Sequence, residues 1–368
     1  MTVSISGTGG VTFPDNSVQA TAATGFGFKN RIINGAMVIS QRNNSTSVTP
    51  NNSYTLDRWL GVNSQTGKFT IQQNAGSVTP PAGFTNYLGC TSTSAYSIAS
   101  GDYFNIQQYI EGFNVSDLAW GTASAATITM SFLVRSSLTG TFGGALRNDA
   151  GNRSYPFTYT ISSANTWEQK SVIIAGDTSG TWLTTNGRGI AVSFGLGVGS
   201  TFSGTAGAWA AANYISATGA TSVVGTNGAT FYITGVQLEK GSTATAFDYR
   251  PYGTELALCQ RYYAKLGAYS GGGSYAAYSA GLVVGTTSAV LYLKYPVTMR
   301  GTPTVNQSAT AINDNTVQAV TAMSTVYGGT DSAYASVTVG GGGLTANRGC
   351  VWHGNNSTSA YVDLTAEL

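Results

Sequence analysis

From Lys29 onward, apolar and polar residues alternate in short runs with a period of two, the signature of half-buried strands. KFTIQQNA, YFNIQQYIEG, ATITMSFLVRSS, PFTYTISS, WEQKSVIIAG, IAVSFGLGVG and ATFYITGVQLEKG are each rich in β-branched and aromatic residues and bounded by Gly, Asn, Ser or Pro. NRIINGAMVISQR adds an earlier strand. YTLDRWLGV reads as another, with Asp57 and Arg58 between Leu56 and Trp59. Roughly ten strands without intervening amphipathic helices predict two packed antiparallel sheets of the jelly-roll kind over residues 29–250. Asn114–Trp120 predicts a single helical turn. The glycine-rich stretch 199–222 is the longest irregular segment, and long ordered loops are where binding functions concentrate.

One stretch departs from the alternation. Between Tyr249 and Gly267, Leu256, Cys259, Tyr263 and Leu266 recur at 3-4-3 spacing and predict a short connecting helix over 251–267. Thr254 is the expected N-cap, Glu255 lies in the first turn, Lys265 in the last, and Gly267 at the C-cap. A helix this short needs a packing partner. Its stripe either covers an edge of the β domain or meets copies of itself on a threefold axis, making those four residues a trimer interface. Beyond it, residues 268–368 predict a smaller C-terminal β-sandwich ending in AYVDLTAEL, with GGGS (271–274) and GGGG (340–343) as tight loops. Residues 1–28 hold only brief alternating runs broken by Gly9-Gly10 and Pro14-Asp15-Asn16. They form either a flexible leader or an attachment segment whose strands neighbouring chains complete.

Composition narrows the function. Of 368 residues, 42% are hydrophobic, enough for a core, and only 9% are charged, against about 25% in ordinary domains. The net charge of +2 comes from scattered Lys and Arg, which gives no footprint for nucleic acid or an anionic membrane. No run approaches the ~20 apolar residues of a membrane helix, and no signal peptide is visible. Cys90, Cys259 and Cys350 are odd in number and far apart, and read as free, mostly buried thiols of a chain folded in a reducing cytoplasm.

Candidate chemistry is sparse. Glycan hydrolysis needs two carboxylates about 5–10 Å apart. The near pairs in sequence, Asp102 with Glu111 and Asp248 with Glu255, carry no mark of a shared cleft, so no enzyme is expected. The single histidine, His353, has no nucleophile elbow to serve and no ligand spacing beyond Cys350, so neither catalytic nor metal residues are assigned. A loop-built calcium site stays open without named ligands, and no cofactor is expected. Sugar binding needs aromatic faces beside amides and hydroxyls. Two places offer them: Trp209 and Tyr214 in the long loop, and Trp352, His353 and Tyr361 near Asn355 and Asn356. For both groups, core packing is the competing role. For Trp59, Trp120 and Trp167 it is the expected one.

Three passages carry a resemblance. GTGGVTFPDNSVQATAA precedes NRIINGAMVISQRN and YTLDRW, FYITGVQLEKGSTATAFDYRPYGTELALCQRYYAKL closes the large domain, and YPVTMRGTPTV with DLTAEL marks the last. Together they resemble tail fibres and receptor-binding proteins of tailed bacteriophages, whose jelly-roll is similar to carbohydrate-binding modules. The resemblance implies a homotrimeric virion protein, assembled in the host cytoplasm and held to tail or capsid proteins by its N-terminus. It also implies contact with a host surface, with a glycan as the expected ligand. Three weak sites on a rigid trimer would then gain attachment strength by avidity. A head fibre or capsid-decorating protein is the alternative, and a polysaccharide depolymerase a more distant one.

Overall fold

The computed structural model describes residues 29–267 and 274–368, together with three short strands, Ser4–Ser6, Gly10–Thr12 and Val18–Gln19, which pair antiparallel in that order. Gly271–Gly273, read above as part of a tight loop, lie outside the described residues.

The protein is mainly β. Its large unit is a sandwich of two antiparallel sheets. One runs Ser154–Ile161, Gly140–Arg147, Arg188–Val198, Tyr103–Glu111, Trp59–Asn63, Ser53–Leu56. The other runs Glu168–Ile174, Ile128–Ser136, Thr230–Lys240, Leu88–Ser92, Phe69–Gln73. Alternation decides what each strand buries. Phe104, Ile106 and Ile110 point between the sheets and meet Phe132, Phe142, Phe157, Phe194 and Phe231 in one continuous core. Each such side chain contributes roughly 2–3 kcal/mol of burial. Trp59 lies at its centre and Trp120 at its edge, as expected, whereas Trp167 only half-buries itself against Tyr87 in a separate small cluster.

Two sequence expectations change here. Residues 29–41 form no strand. Asn34 and Met37 take left-handed backbone angles (φ 58° and 59°), and amide side chains replace the ladder. Asn34 Nδ2 donates to the carbonyls of Ile39 and Asp57, and Asn30 Nδ2 donates to that of Val236. Such substitutes allow a largely buried irregular segment to satisfy its backbone. YTLDRWLGV is a hairpin rather than one strand. Leu56 pairs with Trp59, and Asp57-Arg58 make the turn, Arg58 at φ 68°. The turn expected near Asn114–Trp120 is present as two short 3-10 turns, Gly112–Asn114 and Ser116–Leu118.

The connecting helix is shorter than its apolar spacing suggests. It spans Tyr252–Gln260 with Pro251, not Thr254, at the N-cap. Tyr263–Gly267 is a strand paired with Tyr361–Thr365, so Leu256 and Cys259 lie on a helix, Tyr263 and Leu266 on a strand, and no common seam exists. Cys259 is wholly buried against Ile33, Ile39 and Tyr262 of its own chain, with Leu256 packed alongside. Tyr263 is buried and Leu266 packs on the C-terminal core. Cys259 and Tyr263 are thus covered within the subunit and Leu256 and Leu266 partly so, and the split between helix and strand removes the helical argument for a trimer interface at these four residues. Burial also raises the pKa of the Cys259 thiol. Cys90 and Cys350 are buried too, in the other two cores.

In the C-terminal unit the strands close into a barrel, Ala277–Gly285, Ser288–Lys294, Ser332–Val339, Val317–Gly328, Thr310–Asn313, Gly349–Gly354. Beside it, Tyr361–Thr365 is flanked by Tyr263–Gly267 and Thr304–Ser308. The chain end then docks back on the sandwich. Glu367 bridges Arg42 (2.6 Å) and Arg58, and the Arg300 guanidinium donates to the carbonyls of Ala366, Glu367 and Asn186. Arg58 stacks 3.6 Å above the Tyr262 ring. This junction fixes one end of the six-stranded sheet's outer face.

Candidate functional site

The strand Tyr103–Glu111 spends its even positions on the core, apart from Gln108, which exchanges hydrogen bonds with the Ile33 backbone. Its odd positions, Asn105, Gln107 and Tyr109, therefore stand on the outer face of the six-stranded sheet. Register brings partners beside them. Tyr109 is opposite Ala191, and Ala191 is opposite Arg147, so the three stand abreast on adjacent strands. The small central side chain leaves a gap between a tyrosine ring and a guanidinium.

Walls rise around this gap. The 199–222 loop lies across the same face because Gly143 and Gly195 admit Ser216, whose Oγ would lie 2.5 Å and 2.8 Å from a Cβ at those positions. The loop is pinned by a bridge between Ser154 and Ala210, and Trp209 anchors it. The result is a hollow of about 180 Å³ lined by Tyr109, Arg147, Asn148, Asp149, Arg188 and Asn213 among others.

Hydrogen bonds organise its floor. Arg147 donates to Asn213 Oδ1 (2.7 Å) and to Gln107 Oε1 (3.1 Å), and Gln107 Nε2 donates to the Tyr109 hydroxyl (2.7 Å). Arg188 lies 4.6 Å from the Tyr109 ring centre and pairs with Asp149 at 3.1 Å. Desolvation lowers the pKa of Arg147; the Arg188 charge adds to that and Tyr109 opposes it. A guanidinium nevertheless stays protonated at neutral pH. An aromatic ring flanked by amides, hydroxyl and guanidinium is what a pyranose needs: a face for its C–H groups and donors and acceptors for its hydroxyls.

A second hollow, about 250 Å³, lies beside the helix and is lined by Phe84, Phe247 and Tyr249 with Asp248 and Glu255. Its carboxylates are occupied by the fold. Glu255 accepts from the Arg250 guanidinium (3.2 Å) and the Asn34 amide, and Asp248 accepts from the Asn30 amide (3.3 Å). The other near pair is split between the two ends of one strand. Asp102 is held by Ser64 and Tyr96, and Glu111 by Arg261 (2.6 Å) and the Tyr262 hydroxyl (2.6 Å). Among the described residues, no three His, Cys, Asp or Glu side chains gather as a metal site would require.

The sequence-predicted binding residues do not converge. Trp209 packs edge-on against Trp120, Trp182 and Tyr155 at 5.2–5.4 Å and donates its indole N–H to the Ala175 carbonyl (2.8 Å). It is a core anchor for the loop, not an exposed platform. Tyr214 lies over Gly204, where a Cβ would strike its ring at 2.2 Å. Trp352 is fully buried in the barrel against Tyr278, which corrects the expectation of a surface ring there. His353 is also buried, its Nδ1 2.7 Å from the Gly354 carbonyl, and Tyr361 is half-buried in the three-stranded sheet with Lys265 over its ring. Exposed aromatics of this unit include Tyr275 and also Tyr292, Tyr334 and Tyr327, the last three being register neighbours on three adjacent strands.

Reading the sequence missed Tyr109, Arg147, Arg188 and Asn213. For Tyr109 a signal existed, since the alternation in YFNIQQYIEG already places it on the polar face. The others depend on register and on the path of a loop.

The fold thus defines a β-sandwich of the jelly-roll kind joined to a barrel. Among solved structures, the chain is similar to the enzymatically active domain of bacteriophage CBA120 tailspike protein 4, with 13% identity and a TM-score of 0.33, covering 58% of this chain but only 21% of that one. It is also similar to a family 11 carbohydrate-binding module from Clostridium thermocellum in complex with a mixed-linked tetrasaccharide (10% identity, TM-score 0.28, 54% of this chain and 98% of that one). A CBM4 structure matches at 12% identity and TM-score 0.28, over 55% of this chain and all of that one. At these scores the likeness carries no argument about function. No family model and no curated protein matches the sequence.

Proposed function

We propose that this protein is a saccharide-binding attachment protein that acts without breaking bonds, and that the hollow between Tyr109 and Arg147 is its binding site. The observation behind this reading is the gap over Ala191, flanked by an aromatic ring and by side-chain donors already oriented by Gln107 and Asn213. Pre-orientation matters because a weak polar ligand gains little if the site must first order itself. A binding rather than hydrolytic role is favoured because, among the described residues, Asp149 is the one carboxylate lining this hollow, and it is paired with Arg188. Two are needed for glycoside hydrolysis.

The sequence resemblance to phage fibres supports the finer reading: a virion protein, held through its N-terminus, that attaches to a host-surface glycan as a homotrimer. The ridge near position 260 lends the trimer no support. The strip of Tyr292, Tyr327 and Tyr334 on the barrel is one of the exposed apolar surfaces of the described residues. The test is a binding assay of the full chain on purified bacterial surface polysaccharides, with released reducing ends monitored. Expected are binding weakened about tenfold by Tyr109→Ala, roughly one lost ring contact, and no new reducing ends. Binding untouched by Tyr109→Ala would remove this site, and new reducing ends would make the protein a depolymerase.

A further inference from the structure

Resting on the saccharide reading above, we propose that the sugar seated over Ala191 is anionic, and that Arg147 receives its carboxylate or phosphate group. The arginines elsewhere on this face of the sheet are matched: Arg58 with Glu367, Arg188 with Asp149, Arg261 with Glu111. Arg147 reaches no carboxylate among the described residues. It donates only to two neutral amide oxygens, of Asn213 and Gln107, and its Nε is buried without a partner. A guanidinium has five N–H donors, so three are left over.

A cation drawn out of water without a counter-charge is costly, and a fold under no other demand would pair it or expose it. Here Arg147, Arg188 and Asp149 leave the hollow with one net positive charge. The guanidinium edge matches the oxygens of carboxylate or phosphate, and such charge-assisted bonds are about twice as strong as neutral ones. Dimensions agree. Tyr109 and Arg147 are two strands apart, roughly 10 Å between backbones, and Gln107 links the guanidinium to the Tyr109 hydroxyl along the floor, so a single ring would rest on this floor beside the tyrosine with its acidic substituent at the arginine. The hollow is smaller than the ~300 Å³ of a usual ligand pocket, which suits one sugar unit rather than a chain.

The experiment screens the full chain on an array of uronate-, sialate- and phosphate-bearing oligosaccharides alongside neutral ones. The tightest acidic ligand is then titrated calorimetrically against its own neutralised form, made by carboxyl reduction or dephosphorylation, which also tells the two anion sources apart. The acidic form is expected to bind at least about tenfold tighter and to weaken as salt is raised. Arg147→Gln is expected to erase that preference, weakening the acidic form by at least about tenfold more than the neutral one. Equal affinity for the two forms of the wild-type protein would overturn the proposal, whether or not the variant folds. So would a variant that weakens both forms alike, since Arg147 would then only shape the floor. Absence of any binding on the array, or binding indifferent to Tyr109→Ala, would strike instead at the saccharide reading itself.

Discussion

The two ends of one sheet face treat their arginines in opposite ways. At the junction with the barrel, Arg58 is buried, paired with Glu367 and stacked on Tyr262, and it donates to the Tyr109 carbonyl. Arg261 nearby grips Glu111 with two hydrogen bonds. In the hollow, Arg147 is held by amides alone. At the first end, charge is neutralised internally and tertiary structure is fixed by it. At the second, positioning is complete but neutralisation is not, and the missing part is what a ligand supplies. A buried ion pair is weak proof of stabilisation, yet removing one partner is severe, because the other is left buried and unpaired. The same chemistry therefore predicts large stability effects at the junction and large binding effects at the hollow.

The largest expected effect is at the junction. Glu367→Ala leaves Arg58 without its carboxylate and should destabilise the fold by about 3–5 kcal/mol in urea unfolding. A change below about 1 kcal/mol would mean that the docked chain end is not integral to the fold. Next comes a pH effect in the same region. Asp57, buried and accepting from the backbone amide and side chain of Gln41, has its carboxyl pushed from 3.8 up to about 6, mainly by desolvation. A carboxyl with a raised folded value holds its proton more tightly folded than unfolded. The contribution of Asp57 to stability is then greatest below about pH 4 and falls as pH rises to about 6, by an amount of order 3 kcal/mol. Asp57→Asn should flatten this slope, read from unfolding midpoints across that range. The smallest effect sharpens the contrast. Arg147→Gln removes an unpaired cation and should change stability by less than about 1 kcal/mol in either direction. A loss as large as that at Glu367 would make the hollow a second structural junction.

Much of the fold was legible because alternation is local. The strands around Phe132, Phe194 and Phe231 follow directly from it. Failures came where distant partners decide. RYYAKLG satisfies helical spacing and strand alternation alike, and a ladder with Tyr361–Thr365, about a hundred residues away, selects the strand. Residues 29–41 look extended but are governed by the side chains of Asn30 and Asn34, whose contacts with Val236 and Asp57 no local pattern shows. At the site, the same limit applies. Trp352 shares its inward parity with Cys350, so its burial was readable in GCVWHG, and the aromatic content of that loop-flanked strand obscured it. Tyr109 was readable by the same rule. Arg147 and Asn213 were not, because register and the glycines under Ser216 bring them together.

A larger side chain in place of Ala191 would fill the gap between Tyr109 and Arg147. Calorimetric titration of the wild-type protein and of Ala191→Phe with the same surface polysaccharide, alongside their thermal unfolding, tests the central claim. Binding reduced at least about tenfold, in a variant that loses no more than about 1–3 kcal/mol to overpacking and is still folded at the titration temperature, is the predicted result. Equal affinity in a variant whose hollow is filled would contradict it.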